Sequence, residues 1–250
     1  MTFRYMWELK LSVVLVAASV LIYVLKVFLV GDTGDSNTLT YIFNALGFLP
    51  LNVLFVTLLI NGLLTMRAKK AQAERMRMIV GLFFSELGSS MLRLFASCDA
   101  EEGKLSGILD VQKSWKRAEY VHARSALAAY CPRVVPGAAD LERMRSLFEA
   151  KHEFLLRLVE NPVFLEQSRV AELMQALFHL GEELGDRGSF SDLPPSDTAH
   201  LAGDVNRVYC TLAEVWLSHM EYLSENYPYL FSLSLRKSPF RETADVIVRE

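Results

Sequence analysis

Residues 11–30 read Leu11-Ser-Val-Val-Leu-Val-Ala-Ala-Ser-Val-Leu-Ile-Tyr-Val-Leu-Lys-Val-Phe-Leu-Val30, an apolar run with one charge, Lys26. As a helix rising ~1.5 Å per residue it is about 30 Å long, the thickness of a hydrocarbon core. Lys26 lies about a turn from the end, where its amine can snorkel to the headgroups. The competing reading is a cleaved signal peptide. The run is longer than a usual apolar signal core, and Gly31-Asp32-Thr33-Gly34-Asp35 reads as a turn, with no small-x-small cleavage site. The stretch is therefore expected to anchor the chain.

Composition points the same way. The 250 residues are 52% hydrophobic and 22% charged, too apolar for a disordered chain. The mean hydropathy is positive, +0.22. A soluble surface needs polar cover, so a positive mean implies that part of the chain faces lipid. A net charge of −3 gives no nucleic-acid signature. Three cysteines without paired spacing exclude a disulfide scaffold or a Cys-based zinc module.

A second apolar region covers Tyr41 to Met66 and contains Gly47 and Pro50. Pro is tolerated in the first turn of a helix and disfavoured inside one. The expectation is a short helix over Leu39–Leu46 and a new span from Pro50 to Met66, about 25 Å long and near the lower limit for crossing. A single kinked helix is the alternative. Asn52 and Asn61 sit about 2.5 turns apart and are candidate intramembrane polar contacts together with Lys26.

Charge sets the orientation. Arg67, Lys69, Lys70, Arg75 and Arg77 follow the second span with one acid among them, Glu74, whereas the loop between the spans carries Asp32 and Asp35. The positive-inside rule then places both termini in the cytoplasm, in a multi-pass protein of the cell (inner) membrane. The five basic residues are also candidate contacts for anionic headgroups of the bilayer. In a reducing compartment Cys98, Cys131 and Cys210 are expected to be free thiols.

Beyond Arg77 the pattern is helical. Met76, Val80, Phe83, Phe84, Leu87, Met91, Leu94 and Phe95 recur at steps of three and four. Nothing breaks the chain between Met66 and Arg77, so the second span is expected to continue as one helix to about Ser97. Further helices fit Gly107–Tyr130, Ala139–Glu160, Val163–Leu184 and a fifth capped by Ser196 and running to about Asn226, with a short one over Tyr229–Lys237. The stretch 187–195 reads as a loop. The expected fold class is all-α: a transmembrane hairpin, residues 1–66, continuing into a cytoplasmic helical bundle, residues 67–250.

Catalytic signals are weak. Glu149-x-x-His152 has the spacing of a bundle di-iron motif, but that site needs a second such motif, and Glu172-x-x-Gln175 lacks the imidazole. His179, Glu182 and Glu183 share one side of a helix. Solvated helix faces account for these residues, so no metal ligand, catalytic residue or cofactor is assigned. There is no Gly-x-Ser-x-Gly elbow and no phosphate-binding Gly-rich loop. Lys113-Ser-Trp-Lys-Arg117 mixes basic and aromatic residues without a wider basic field, and reads as a helix face rather than a nucleic-acid surface.

Three segments carry a resemblance. Trp216-Leu-Ser-His-Met-Glu-Tyr-Leu-Ser-Glu-Asn-Tyr-Pro-Tyr-Leu-Phe-Ser-Leu-Ser-Leu-Arg-Lys-Ser-Pro-Phe240, Gly47-Phe-Leu-Pro-Leu-Asn-Val-Leu-Phe-Val-Thr57 and Val80-Gly-Leu-Phe-Phe-Ser-Glu86 are similar to an uncharacterised prokaryotic family. Its layout implies two membrane spans and a helical cytoplasmic domain ending in a Tyr-Pro-Tyr-Leu-Phe-Ser-Leu-like segment. The resemblance supplies architecture and no active residues. Tyr227, Tyr229, Leu230, Phe231 and Leu233 are too apolar for a free tail, so this segment is expected to dock against the bundle or the long helix.

These readings converge on a non-enzymatic, membrane-anchored scaffold, sensor or interaction protein. Its expected partners are the bilayer and either a second copy or another protein held through the cytoplasmic helices, not nucleic acid. A small oligomeric ion channel is the alternative, with Lys26, Asn52 and Asn61 as pore-lining groups, although the chain lacks a filter sequence. A membrane-bound metalloenzyme is a more distant one.

Overall fold

Apolar periodicity and helix stop signals set the element order in the computed structural model, which describes residues 2–30, 37–130 and 133–241. Among these residues the regular structure is helical, apart from a single antiparallel bridge between Asp99 and Val134. The chain divides into two units, Met1–Gln72 and Ala73–Glu250.

The first unit holds α1 (Thr2–Val30) and the first part of α2 (Asn37–Phe83). Both are long and apolar enough to cross a membrane, and most of their apolar side chains point outward. The expected Gly31–Asp35 turn lies outside the described residues. The expected break at Gly47–Pro50 does not occur: α2 passes straight through Pro50. A proline inside a helix costs about 3 kcal/mol through its missing N–H and the clash of its ring with the preceding turn. Ending the helix and nucleating another would strand up to four N–H and four C=O groups at each break. Pro50 leaves the Leu46 carbonyl without its usual donor, and one residue on the Gly47 carbonyl accepts Ser19 Oγ at 2.5 Å. Ser19 is buried at this contact. A Cβ at Gly47 would lie 2.8 Å from the Tyr23 ring, so glycine is what permits this close approach of α1 and α2.

In the second unit the backbone stays helical from the end of α2 through a π-helical turn, Phe84–Gly88, into α3 (Ser89–Ser97). The expected continuation to Ser97 is therefore present, with one wide turn inside it. That turn sends both Phe83 and Phe84 into the core, with their rings edge to face at 5.3 Å. Gly88 faces them; a Cβ there would meet the Phe84 ring at 2.7 Å.

The single helix expected over Gly107–Tyr130 is corrected to two, α4 (Glu102–Ile108) and α5 (Arg117–Ala129). Between them Leu109 and Val111 turn into the core. The Glu119 carboxylate accepts the Lys116 N–H at 2.8 Å and starts α5 afresh. These backbone bonds hold the Glu119 carboxyl below its ordinary pKa. Of the basic-aromatic stretch, Lys113 to Lys116 thus lie in the loop before α5 and Arg117 opens the helix.

Next comes α6 (Ala138–Val159), close to the expected Ala139–Glu160. The following helix begins later than Val163: a 3₁₀ turn, Phe164–Glu166, precedes α7 (Ser168–Gly185). In α8 (Pro195–Asn226) Ser196 is not the cap. Pro195 takes the first helical position, where its missing N–H costs nothing. Leu201, Val205, Val208, Tyr209, Leu212, Ala213, Leu217 and Met220 are buried along α8. A helix apolar on most sides belongs at the centre, and α3, α5, α7 and α9 all pack on it. The last helix, α9 (Pro228–Arg236), docks on α8 through Phe231 and Leu235, while Tyr229 and Leu230 stay exposed.

Candidate functional site

Helical spacing on α2, α5 and α8 builds one concavity of the second unit. Met76, Arg77 and Val80 of α2, Arg124 of α5, and Glu214, His219, Glu221 and Tyr222 of α8 line a cavity of about 550 Å³, with Gln167 and Arg169 at the start of α7. Its charges are largely matched internally. Arg124 pairs with Glu221, and Arg169 pairs with Glu172 at 2.7 Å and Glu214 at 3.0 Å. The Arg77 guanidinium sits 4.2 Å above the Tyr222 ring, a cation–π contact.

His219 is the least expected lining residue. Its ring stacks on Phe84 at 5.5 Å, and its Nδ1 has no hydrogen-bond partner. Burial, helped by the nearby Arg77 charge, lowers its pKa to about 4, so the imidazole is neutral near pH 7. Burial raises the Tyr222 hydroxyl pKa above its ordinary value, with Tyr227 adding to it.

Of the sequence-selected residues, Arg67, Lys69, Lys70 and Arg75 are exposed along α2. Only Arg77 of that group enters the cavity wall. Lys26 does not extend freely: its Nζ donates to Asn44 Oδ1 at 2.8 Å. Asn52 is exposed and Asn61 half-buried. Polar contacts of this unit include Ser19 with Gly47 and Lys26 with Asn44; periodicity alone did not distinguish Ser19 or Asn44. Cys98 is buried, and desolvation lifts its thiol pKa to about 11. Cys210 is half-buried, and Cys131 lies outside the described residues.

A second grouping forms on α7 and α8. Glu149 and His152 line a shallow cavity with Glu182. Among the described residues, the only group of three or more potential metal-ligand side chains within mutual reach is His179, Glu183 and His200, whose ligand atoms lie within 4.8 Å of one another. Asp204 stands beside them, its Oδ2 3.5 Å from His179 Nε2 and 3.4 Å from His200 Nε2. The sequence alone offered His179 and Glu183 as solvated neighbours. Packing of α7 on α8 adds His200 and Asp204.

Comparison with known proteins gives a consistent match over nearly the whole chain. Residues 3–64 match the family described as MJ1433, N-terminal helical domain. Residues 72–236 match that described as Uncharacterized protein MJ1433, C-terminal helical domain. The chain belongs to the MJ1433 family. The uncharacterized protein MJ1433 of Methanocaldococcus jannaschii is 36% identical over 247 residues, covering 99% of this chain and 97% of that protein. No solved structure matches the chain. The MJ1433 family carries no known activity.

Proposed function

We propose that this chain is an integral protein of the cell membrane, spanning it twice with both termini in the cytoplasm, and that it acts by binding rather than by catalysis. The observation that carries the reading is the outward apolar face of α1 and α2. Val13, Val14, Leu21, Val27, Phe28 and Leu29 on α1, and Phe48, Leu49, Phe55, Leu58 and Leu63 on α2, are exposed. Apolar surface left in water costs about 25 cal/mol per Å², and continuous bands of this kind call for lipid or a partner helix. The basic residues from Arg67 to Arg77 support the cytoplasmic side.

The helical domain then serves as scaffold or sensor, and the cavity under Arg77 and His219 is its binding site. One helix, α2, carries both the apolar stretch and Arg77 and Val80 of the cavity wall. A group bound there contacts the same helix that spans the bilayer. Lys26 is engaged by Asn44, which favours an anchor over a conducting pore.

The test is fractionation of cells expressing the full chain. The protein is expected in the membrane pellet after alkaline carbonate washing and in solution only with detergent. A chain that stays monomeric in buffer without detergent would overturn the proposal. Labelling of an Asp35→Cys variant from the outer side alone is the expected topology; labelling from the cytoplasmic side reverses it.

A further inference from the structure

The two helices that make the tightest pair in the second unit each carry an i,i+4 pair of ligand-type residues. On α7 it is His179-x-x-x-Glu183, and on α8 it is His200-x-x-x-Asp204. Residues four apart lie on one helix face, and the packing of α7 on α8 turns the two faces together. We infer that His179, Glu183, His200 and Asp204 form a binding site for a divalent first-row transition metal of the zinc class.

Asp204 supplies the independent observation. It is only 3% exposed, yet its Oδ2 has no hydrogen-bond partner. A buried carboxylate oxygen ordinarily finds a donor or a cation. This one is aimed at the Nε2 atoms of two imidazoles, at 3.5 and 3.4 Å, and Glu183 Oε2 lies 3.7 Å from His200 Nε2. These separations exceed the usual N–H···O distance of about 2.9–3.0 Å. A zinc tetrahedron with bonds of about 2.0–2.1 Å has edges of about 3.3–3.4 Å. Asp204 and the two imidazoles are therefore spaced as neighbours around an ion rather than as hydrogen-bond partners, and a Glu183 oxygen lies within 4.8 Å of both imidazoles.

The surrounding residues suit that role. Arg207 Nη1 lies 3.0 Å from Asp204 Oδ1, so the other oxygen, Oδ2, is the one left toward the imidazoles. Arg187 donates to Glu183 Oε2 at 2.7 Å, and its own charge is met by two bonds to Asp197 at 2.9 and 2.7 Å. Outer contacts of this type fix the direction of ligating carboxylates. Two imidazoles select against magnesium and calcium, which prefer oxygen. The His179 and His200 side chains are 45% and 52% exposed, which leaves an entry path from solvent.

The alternative is an ion-pair cluster in which protonated imidazoles face Asp204 with no metal. The experiment separates the two. The full chain, purified without an affinity tag and stripped with a chelator, is titrated with zinc chloride by calorimetry, and retained metal is measured after gel filtration. One zinc per chain is expected, together with a raised melting temperature, and magnesium is expected to do neither. A His179→Gln/His200→Gln double variant removes half-exposed groups and keeps the fold. It should bind zinc more weakly by more than about 100-fold, exceeding the usual effect of losing an outer-shell partner. Asp204→Asn should weaken binding likewise, with folding checked by circular dichroism. Zinc bound equally by the double variant would place it elsewhere, at Cys98 or Cys210 for example, and overturn the site. Absence of stoichiometric zinc in the folded wild-type chain would establish the ion-pair cluster instead.

Discussion

Residues 9–29 and α8 are both long helical stretches, yet they place their apolar side chains in opposite ways. Along the first, Leu21, Val27 and Phe28 point away from the rest of the unit, whereas Ser19 faces inward at the Gly47 carbonyl. Along α8, Leu212, Leu217 and Met220 are fully enclosed. A helix surrounded by other helices buries its apolar residues, whereas one suited to lipid turns them out and keeps its polar contacts against its neighbour.

The sharpest way to break this contrast is to truncate one leucine of each kind. Leu217→Ala on α8 is expected to cost about 2–5 kcal/mol of stability. Leu21→Ala on α1 should change it by less than about 0.5 kcal/mol. Denaturant unfolding of the detergent-solubilised chain reads both, and similar losses at the two positions would erase the distinction.

A second prediction concerns the buried imidazole of α8. His219 has its pKa lowered from 6.5 to about 4 by burial and by Arg77. Between those values the unfolded chain binds a proton that the folded chain does not. Stability therefore falls as the pH drops through this window and levels off below it. The loss amounts to about 3 kcal/mol for one group shifted this far. His219→Phe, which keeps the stack on Phe84, should flatten that part of the pH–stability curve, and an unchanged slope would show that other groups carry it.

Within the hairpin the effect is smaller. Gly47→Leu forces a side chain against the Tyr23 ring and is expected to cost about 1–3 kcal/mol by overpacking. Ser19→Ala should cost about 0.5–1.5 kcal/mol through its lost hydrogen bond. The detergent-unfolding midpoint measures both. Smallest of all is Arg157→Ala on α6, whose partner Glu153 is 80% exposed. Thermal melting should shift by an amount equivalent to less than about 0.5 kcal/mol.

Much of this architecture is legible in the chain. The apolar run of residues 11–30, the step-of-three-and-four pattern from Met76 to Phe95, and the stops at Asn161-Pro162 and Pro194-Pro195 place helices close to where they occur. The two departures have different causes. At residues 109–116 the local helix propensity is outweighed by Leu109 and Val111 entering the core, whereas at Pro50 ending one helix and starting another costs more than the proline does. The candidate sites were less visible. His219 is distinguished by its stack on Phe84, 135 residues earlier in the numbering, and Asp204 by its placement opposite α7.

The order of its helices, their apolar faces and the two stretches long enough to cross a bilayer are properties of the sequence itself, because hydropathy and helical period are local. The pairing of His179 and Glu183 with His200 and Asp204 and the desolvation of His219 belong to the tertiary structure. Each depends on which helix faces which, and on the dielectric and hydrogen-bonding partners that packing creates between residues the chain keeps apart.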